Sequence, residues 1–136
     1  MTSLPLPALD PDNHAFWTGG EHGQLRISRC AGCAHWLHPP VPVCRFCTST
    51  EVTPQPHPGT GTVFSYTVNH QRWLPDQQVP YVLIIVELDE EPGLRFTTRL
   101  VGIDPHEERD WIGTRVRVTF EQAEDVWLPV FTPVQA

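Results

Sequence analysis

Between Thr62 and Asn69 apolar and polar residues alternate with a period of two, Phe64, Tyr66 and Val68 against Val63, Ser65 and Thr67, as in a half-buried strand. Tyr81 to Leu88 is a continuous apolar run broken only at Glu87. It is too short for a typical helix and suits a central strand covered on both faces. Leu94 to Val101, Arg115 to Phe120 and Val126 to Phe131 supply three more strands, with Val116, Val118 and Phe120 facing inward in the fourth. Five antiparallel strands, bends at Gly59 and Gly61, an acidic turn from Asp89 to Gly93 and an irregular connector before Arg115 predict an OB-type Greek-key barrel.

The N-terminal part lacks this rhythm. Met1 to Leu9 has no period and reads as an extended arm. Asp10 as N-cap, Pro11 at the first helical position and Gly19-Gly20 as a stop then predict a short helix bearing Phe16 and Trp17. A helix of that length needs a surface to lie on, its own chain or another subunit. Gln24 to Arg29 alternates Leu25 and Ile27 with polar residues and predicts a strand. Pro54, Pro56 and Pro58 predict a semi-rigid hinge. The expected organisation is mainly β: arm and short helix over 1–22, a small module over 23–53, and the five-stranded barrel over 54–136.

The small module holds all four cysteines, as Cys30-Ala31-Gly32-Cys33 and Cys44-Arg45-Phe46-Cys47. Each C-x-x-C turns two thiolates toward one point, and two such knuckles complete the tetrahedral four-sulfur cage of a zinc ribbon. Iron and a pair of disulfides are the competing readings. Four thiolates fill a tetrahedral ion and leave no open position, so the metal is expected to be structural. Arg29 and Arg45 adjoin cysteines and could offset the cage's charge; His35 and His38 are spare ligands that the count does not require.

Charge narrows the function. Nine arginines and no lysine face sixteen acidic residues, for a net charge of −7. A general nucleic-acid binder normally carries a basic surplus, and the lack of lysine excludes Schiff-base and P-loop chemistry. No apolar run approaches the ~20 residues of a membrane span. Metal-spaced cysteines without an evident export signal agree with a cytoplasmic setting.

The Phe16-Trp17 helix, the Cys30/Cys33/Cys44/Cys47 ribbon, Pro39-Pro40, Gly59-Thr60-Gly61-Thr62-Val63, Pro80-Tyr81-Val82, Ile112-Gly113 and Leu128-Pro129-Val130-Phe131 together resemble the rubredoxin-like zinc-ribbon plus OB-fold proteins long known as a domain of unknown function. The resemblance covers nearly the whole chain. It implies an obligate non-catalytic partner of a thiolase-like, lipid-transfer-type acyl-CoA enzyme, including an aldolase of steroid side-chain breakdown.

Within that reading Trp17, Trp73 and Trp111 are candidate interface anchors. Arg72, Arg95, Arg99, Arg115 and Arg117 are candidates for contact with an acyl-CoA ligand, and the loop from Gln71 to Pro80 is the flexible piece nearest the barrel's open face. The chain shows no nucleophile elbow, H-E-x-x-H or phosphate loop. His70, His106, Glu90/Glu91 and Glu107/Glu108 read as solvated side chains, so no catalytic residue is expected. The alternative is a single-stranded nucleic-acid-binding OB module with Phe64, Tyr66 and Phe96 as stacking platforms, which the charge opposes.

Overall fold

In the computed structural model, which describes residues 5–134, Asp10 and Asn13 cap each other before any helix begins. Each side-chain oxygen accepts the other's backbone N–H at 2.8 Å. Helix α1 therefore starts at His14, later than expected, and runs His14–Thr18. Gly19-Gly20 does not stop the chain but tightens it into a 3-10 turn, Gly19–His22, ended by Gly23 at φ 69°. The glycines are needed for approach: a Cβ on Gly20 would lie 2.5 Å from the Trp127 Cβ and 2.6 Å from the Phe120 ring. Phe16 is thereby buried against Phe96 and His38. The helix rests on its own chain.

Strands β1 (Leu25–Cys30), β2 (Trp36–Leu37) and β3 (Val52–His57) form one antiparallel sheet in the order β2-β1-β3. The proline stretch expected as a hinge is therefore a paired strand. Ala31 donates to the Glu51 carbonyl, which makes 31/51 a hydrogen-bonded pair of the ladder, so Pro54 and Pro56, opposite Ser28 and Arg26, fall at positions whose nitrogens face away from β1. An edge strand tolerates proline there. This strand also crosses the 53/54 boundary expected between small module and barrel.

Strands β4 (Thr60–Asn69), β5 (Tyr81–Leu88), β6 (Arg95–Leu100), β7 (Arg115–Ala123) and β8 (Val126–Pro133) close a barrel in the order β4-β5-β6-β8-β7. All five expected strands are present in the Greek-key order of an OB fold. Four pairings around the barrel are antiparallel; β6 and β8 meet in parallel at Leu100 and Phe131. Two face assignments change. A bulge between Val63 and Ser65 moves Val63 into the core and turns Phe64 outward. In β5 only Val82, Ile84, Val86 and Leu88 are fully buried, so this strand is half-covered on its outer face. One apolar cluster runs from Leu25, Ile27 and Trp36 of the small sheet through Phe16 to Val86 and Phe131 of the barrel. Ribbon and barrel share a core and do not swing on a linker.

Candidate metal centre and contact surfaces

The two cysteine knuckles fold alike. Ala34 donates to the Cys30 carbonyl and Thr48 to the Cys44 carbonyl, and both donors take positive φ, 64° and 63°. The chain thus turns back immediately after each second cysteine. The Sγ atoms of Cys30 and Cys47 lie 3.5 Å apart, those of Cys33 and Cys44 3.6 Å, and all four fall within 4.8 Å of one another. A Zn–S bond of 2.3 Å gives a tetrahedron with edges of about 3.8 Å, whereas a disulfide needs about 2.05 Å. The spacing fits a metal, and the cysteines are free thiols.

The four sulfurs sit in unlike surroundings, the pKa of Cys30 and Cys44 lowered and that of Cys33 and Cys47 raised. The Cys33 backbone N–H holds the Cys30 thiol down to about 6. Cys33 itself is pushed up to about 12, because the His35 N–H that lowers it is outweighed by burial and its sulfur neighbours. Arg29 and Arg45 are held by neighbours of the cysteines. Arg29 donates to the Ala34 carbonyl and stacks over Trp36, and Arg45 stacks over Phe46. His38 is no ligand; it packs between Phe16 and Phe96.

The expected solvated charge at Glu91 is instead a bridge. Its carboxylate accepts from the Trp36 N–H at 3.1 Å and from His35 Nδ1 at 2.8 Å, joining the β5–β6 turn to the ribbon across 55 residues of sequence. Buried His57 adds a second tie: its Nδ1 accepts from the Gly59 N–H while Nε2 donates to the Asp89 carbonyl. Neither tie has a local sequence signal. His70, His106, Glu107 and Glu108 are exposed as expected.

Among the described residues no two of the five candidate arginines share a hydrogen-bond or ion-pair partner. Arg95 pairs with Glu87 and lies 3.7 Å over the Phe64 ring; Arg99 pairs with Glu121; Arg115 pairs with Asp89; Arg72 donates to the Gln77 carbonyl. Arg117 and Arg72 make no ion pair among the described residues. The aromatic platform is dispersed too: Phe64 sits beneath Arg95, Phe96 packs on Phe16 and Phe131, and the Tyr66 hydroxyl donates to the Arg109 carbonyl. Trp111, expected as an anchor, is a core residue at 2% exposure, whereas Trp73 is 71% exposed. A groove of about 710 Å³ lies between α1 and the β6/β8 seam, floored by Phe16, His38 and Phe96 and edged by Asp10 and Asp12.

A four-cysteine ribbon fused through a shared core to a closed five-stranded OB barrel defines a protein with a structural metal site. The chain belongs to the ChsH2 family: residues 17–53 match its rubredoxin-like zinc ribbon domain and residues 54–121 its C-terminal OB-fold domain. It superposes with TM-score 0.81 and 37% identity on a chain of the solved "Ltp2-ChsH2(DUF35) aldolase", covering 94% of this chain and 98% of that one. A probable enoyl-CoA hydratase alpha subunit of Thermomonospora curvata is 39% identical over 95% of this chain. The 3-oxo-4,17-pregnadiene-20-carboxyl-CoA hydratase alpha subunit of Mycobacterium tuberculosis is 37% identical over 96% of it. The chain spans 40% of the length of each of these two relatives. No helix among the described residues is long and apolar enough to cross a membrane.

Proposed function

We propose that this chain is a non-catalytic accessory subunit that binds and supports a thiolase-like, lipid-transfer-type acyl-CoA enzyme, an aldolase acting on steroid side chains being the favoured partner. The observation that carries this reading is the match over almost the full length of a chain in an aldolase assembly. The chemistry agrees: a metal with four thiolate ligands has no open position for substrate, and a rigid ribbon-barrel pair offers a fixed composite surface. Trp73 is the anchor on that surface. Its loop is ordered by Gln77, whose side chain accepts the Trp73 N–H and donates to the Tyr81 hydroxyl, so little entropy is lost when the indole docks. Contact with the phosphates of an acyl-CoA falls to Arg72 or to Arg117, the two candidates without a carboxylate partner among the described residues, which stand near opposite ends of β4. Cysteines at metal-ligand spacing suit a reducing compartment, the cytoplasm.

A second reading comes from the longer relatives, both named as hydratase alpha subunits: the chain supports a hydratase. Co-expression with a thiolase-like and, separately, a hydratase-like candidate partner, then pull-down and acyl-CoA turnover with and without this chain, separates them. Complex formation with carbon–carbon cleavage absent from either component alone supports the aldolase reading. Hydration without cleavage supports the second, and absence of any complex overturns both.

A further inference from the structure

Glu91 sits in the turn between two barrel strands, yet both of its carboxylate oxygens are spent on the ribbon, on the Trp36 N–H and on His35 Nδ1. What those two groups do is specific. The Cys30 N–H donates to the His35 carbonyl, so His35 closes the first knuckle. Its ring stacks on Phe46 at 3.9 Å and 20°, and Phe46 lies inside the second knuckle, where its own N–H donates to Cys44 Sγ at 3.3 Å. His35 is thus a side-chain contact between the knuckles in addition to the sulfurs themselves, and Glu91 is what aims it. The Glu91 side chain is only 12% exposed, so its charge is used in a largely dry setting where a hydrogen-bonded partner matters most.

The same turn is fastened to the barrel one residue pair earlier. Asp89 accepts from Thr60 and takes a two-point contact from Arg115, while its carbonyl receives His57 from the end of β3. The segment from Asp89 to Glu91 therefore touches the barrel on one side and, on the other, His35 and Trp36 just after the first knuckle. We infer that Glu91 is a positioning residue for the metal centre, supplied by the barrel: it presses His35 onto Phe46, holds the two knuckles at ligand spacing and links zinc occupancy to the order of the β5–β6 turn. This rests on the zinc reading of the four cysteines. Linkage makes the effect reciprocal, so metal loss loosens the turn as turn damage loosens the metal.

The test uses the zinc-loaded full chain. Zinc release into a colorimetric chelator is followed for wild type, Glu91→Ala, Glu91→Gln and Glu90→Ala, Glu90 being the exposed neighbour without these contacts. Groups that orient metal ligands change affinity by roughly 10–100-fold. Glu91→Ala is expected to release zinc at least ~10-fold faster, Glu91→Gln to fall between, and Glu90→Ala to match wild type. Hydrogen exchange gives a readout independent of any partner: chelation should raise exchange in 89–94 as well as in 35–37. Wild-type release from Glu91→Ala, or a turn indifferent to chelation, overturns the inference while leaving the zinc site standing. Metal analysis finding no zinc in purified wild type overturns both. Should Glu91→Ala not fold, Glu91→Gln, which keeps an acceptor for Trp36, carries the comparison.

Discussion

Arg115 grips Asp89 at two points, Nη1 to Oδ1 at 2.8 Å and Nη2 to Oδ2 at 2.6 Å, so that β7 is tied to the turn leaving β5. Thr60 adds a third hydrogen bond to the same carboxylate. The Arg115 hydrogen bonds, with Thr60 assisting, bring the Asp89 carboxyl down from 3.8 to about 2. A carboxylate with a lowered folded-state value stabilises the protein above its unfolded value and loses that contribution as the pH falls from about 4 to about 2. Asp89→Asn should flatten the acid limb of a stability–pH curve in that window. Both partners are more than a third exposed, so the loss at neutral pH should be small, about 1 kcal/mol or less, measured by urea unfolding.

Gly20 lies where the 3-10 turn meets β7 and β8. An added methyl would enter the space of Trp127 and Phe120, so Gly20→Ala should cost about 1–3 kcal/mol through overpacking. Because the cage is built by other segments, zinc content should stay at the wild-type level. Thermal unfolding followed beside metal analysis checks both halves.

Two tryptophans separate surface from core. Trp111 is enclosed and Trp73 stands in solvent. Trp111→Ala should remove about 3–5 kcal/mol of stability. Trp73→Ala should leave the melting temperature within about a degree but weaken capture of the enzyme partner by ~30-fold or more, the scale of an interface hot spot of about 2 kcal/mol. Differential scanning fluorimetry and a binding titration on the two variants test the contrast.

What could be read from the sequence was whatever a local rule governs. Cysteine spacing gave the metal cage, and the period of two, together with the short apolar run from Tyr81 to Leu88, gave the five barrel strands, because ligand geometry and the pleat act over a few residues. Phe64 was misplaced because a bulge resets parity without changing composition. Pro54 and Pro56 looked like a hinge because their fitness for a strand depends on which way their nitrogens face in a register set by β1. Glu91 was invisible for a third reason: its value lies in groups 55 residues away, and a turn glutamate with a solvated carboxylate has the same local sequence.

His38 gives the remaining prediction. Its ring lies against Phe16 and Phe96, its Nδ1 is buried with no hydrogen-bond partner, and burial lowers its proton affinity from 6.5 to about 4. The unfolded chain therefore takes up a proton between about pH 6.5 and 4 that the folded chain refuses, and stability falls through that window as the solution is acidified. Replacing the ring with an apolar side chain removes both the refused proton and the orphaned nitrogen. His38→Leu should flatten the stability–pH curve between 6.5 and 4 and match or exceed wild type at pH 5, while leaving the lower Asp89 limb in place. Urea unfolding at pH 7, 6, 5 and 4 for both proteins decides it: parallel curves would mean that the histidine finds a proton-accepting partner when charged, and the apolar packing against Phe16 would then not be what holds it neutral.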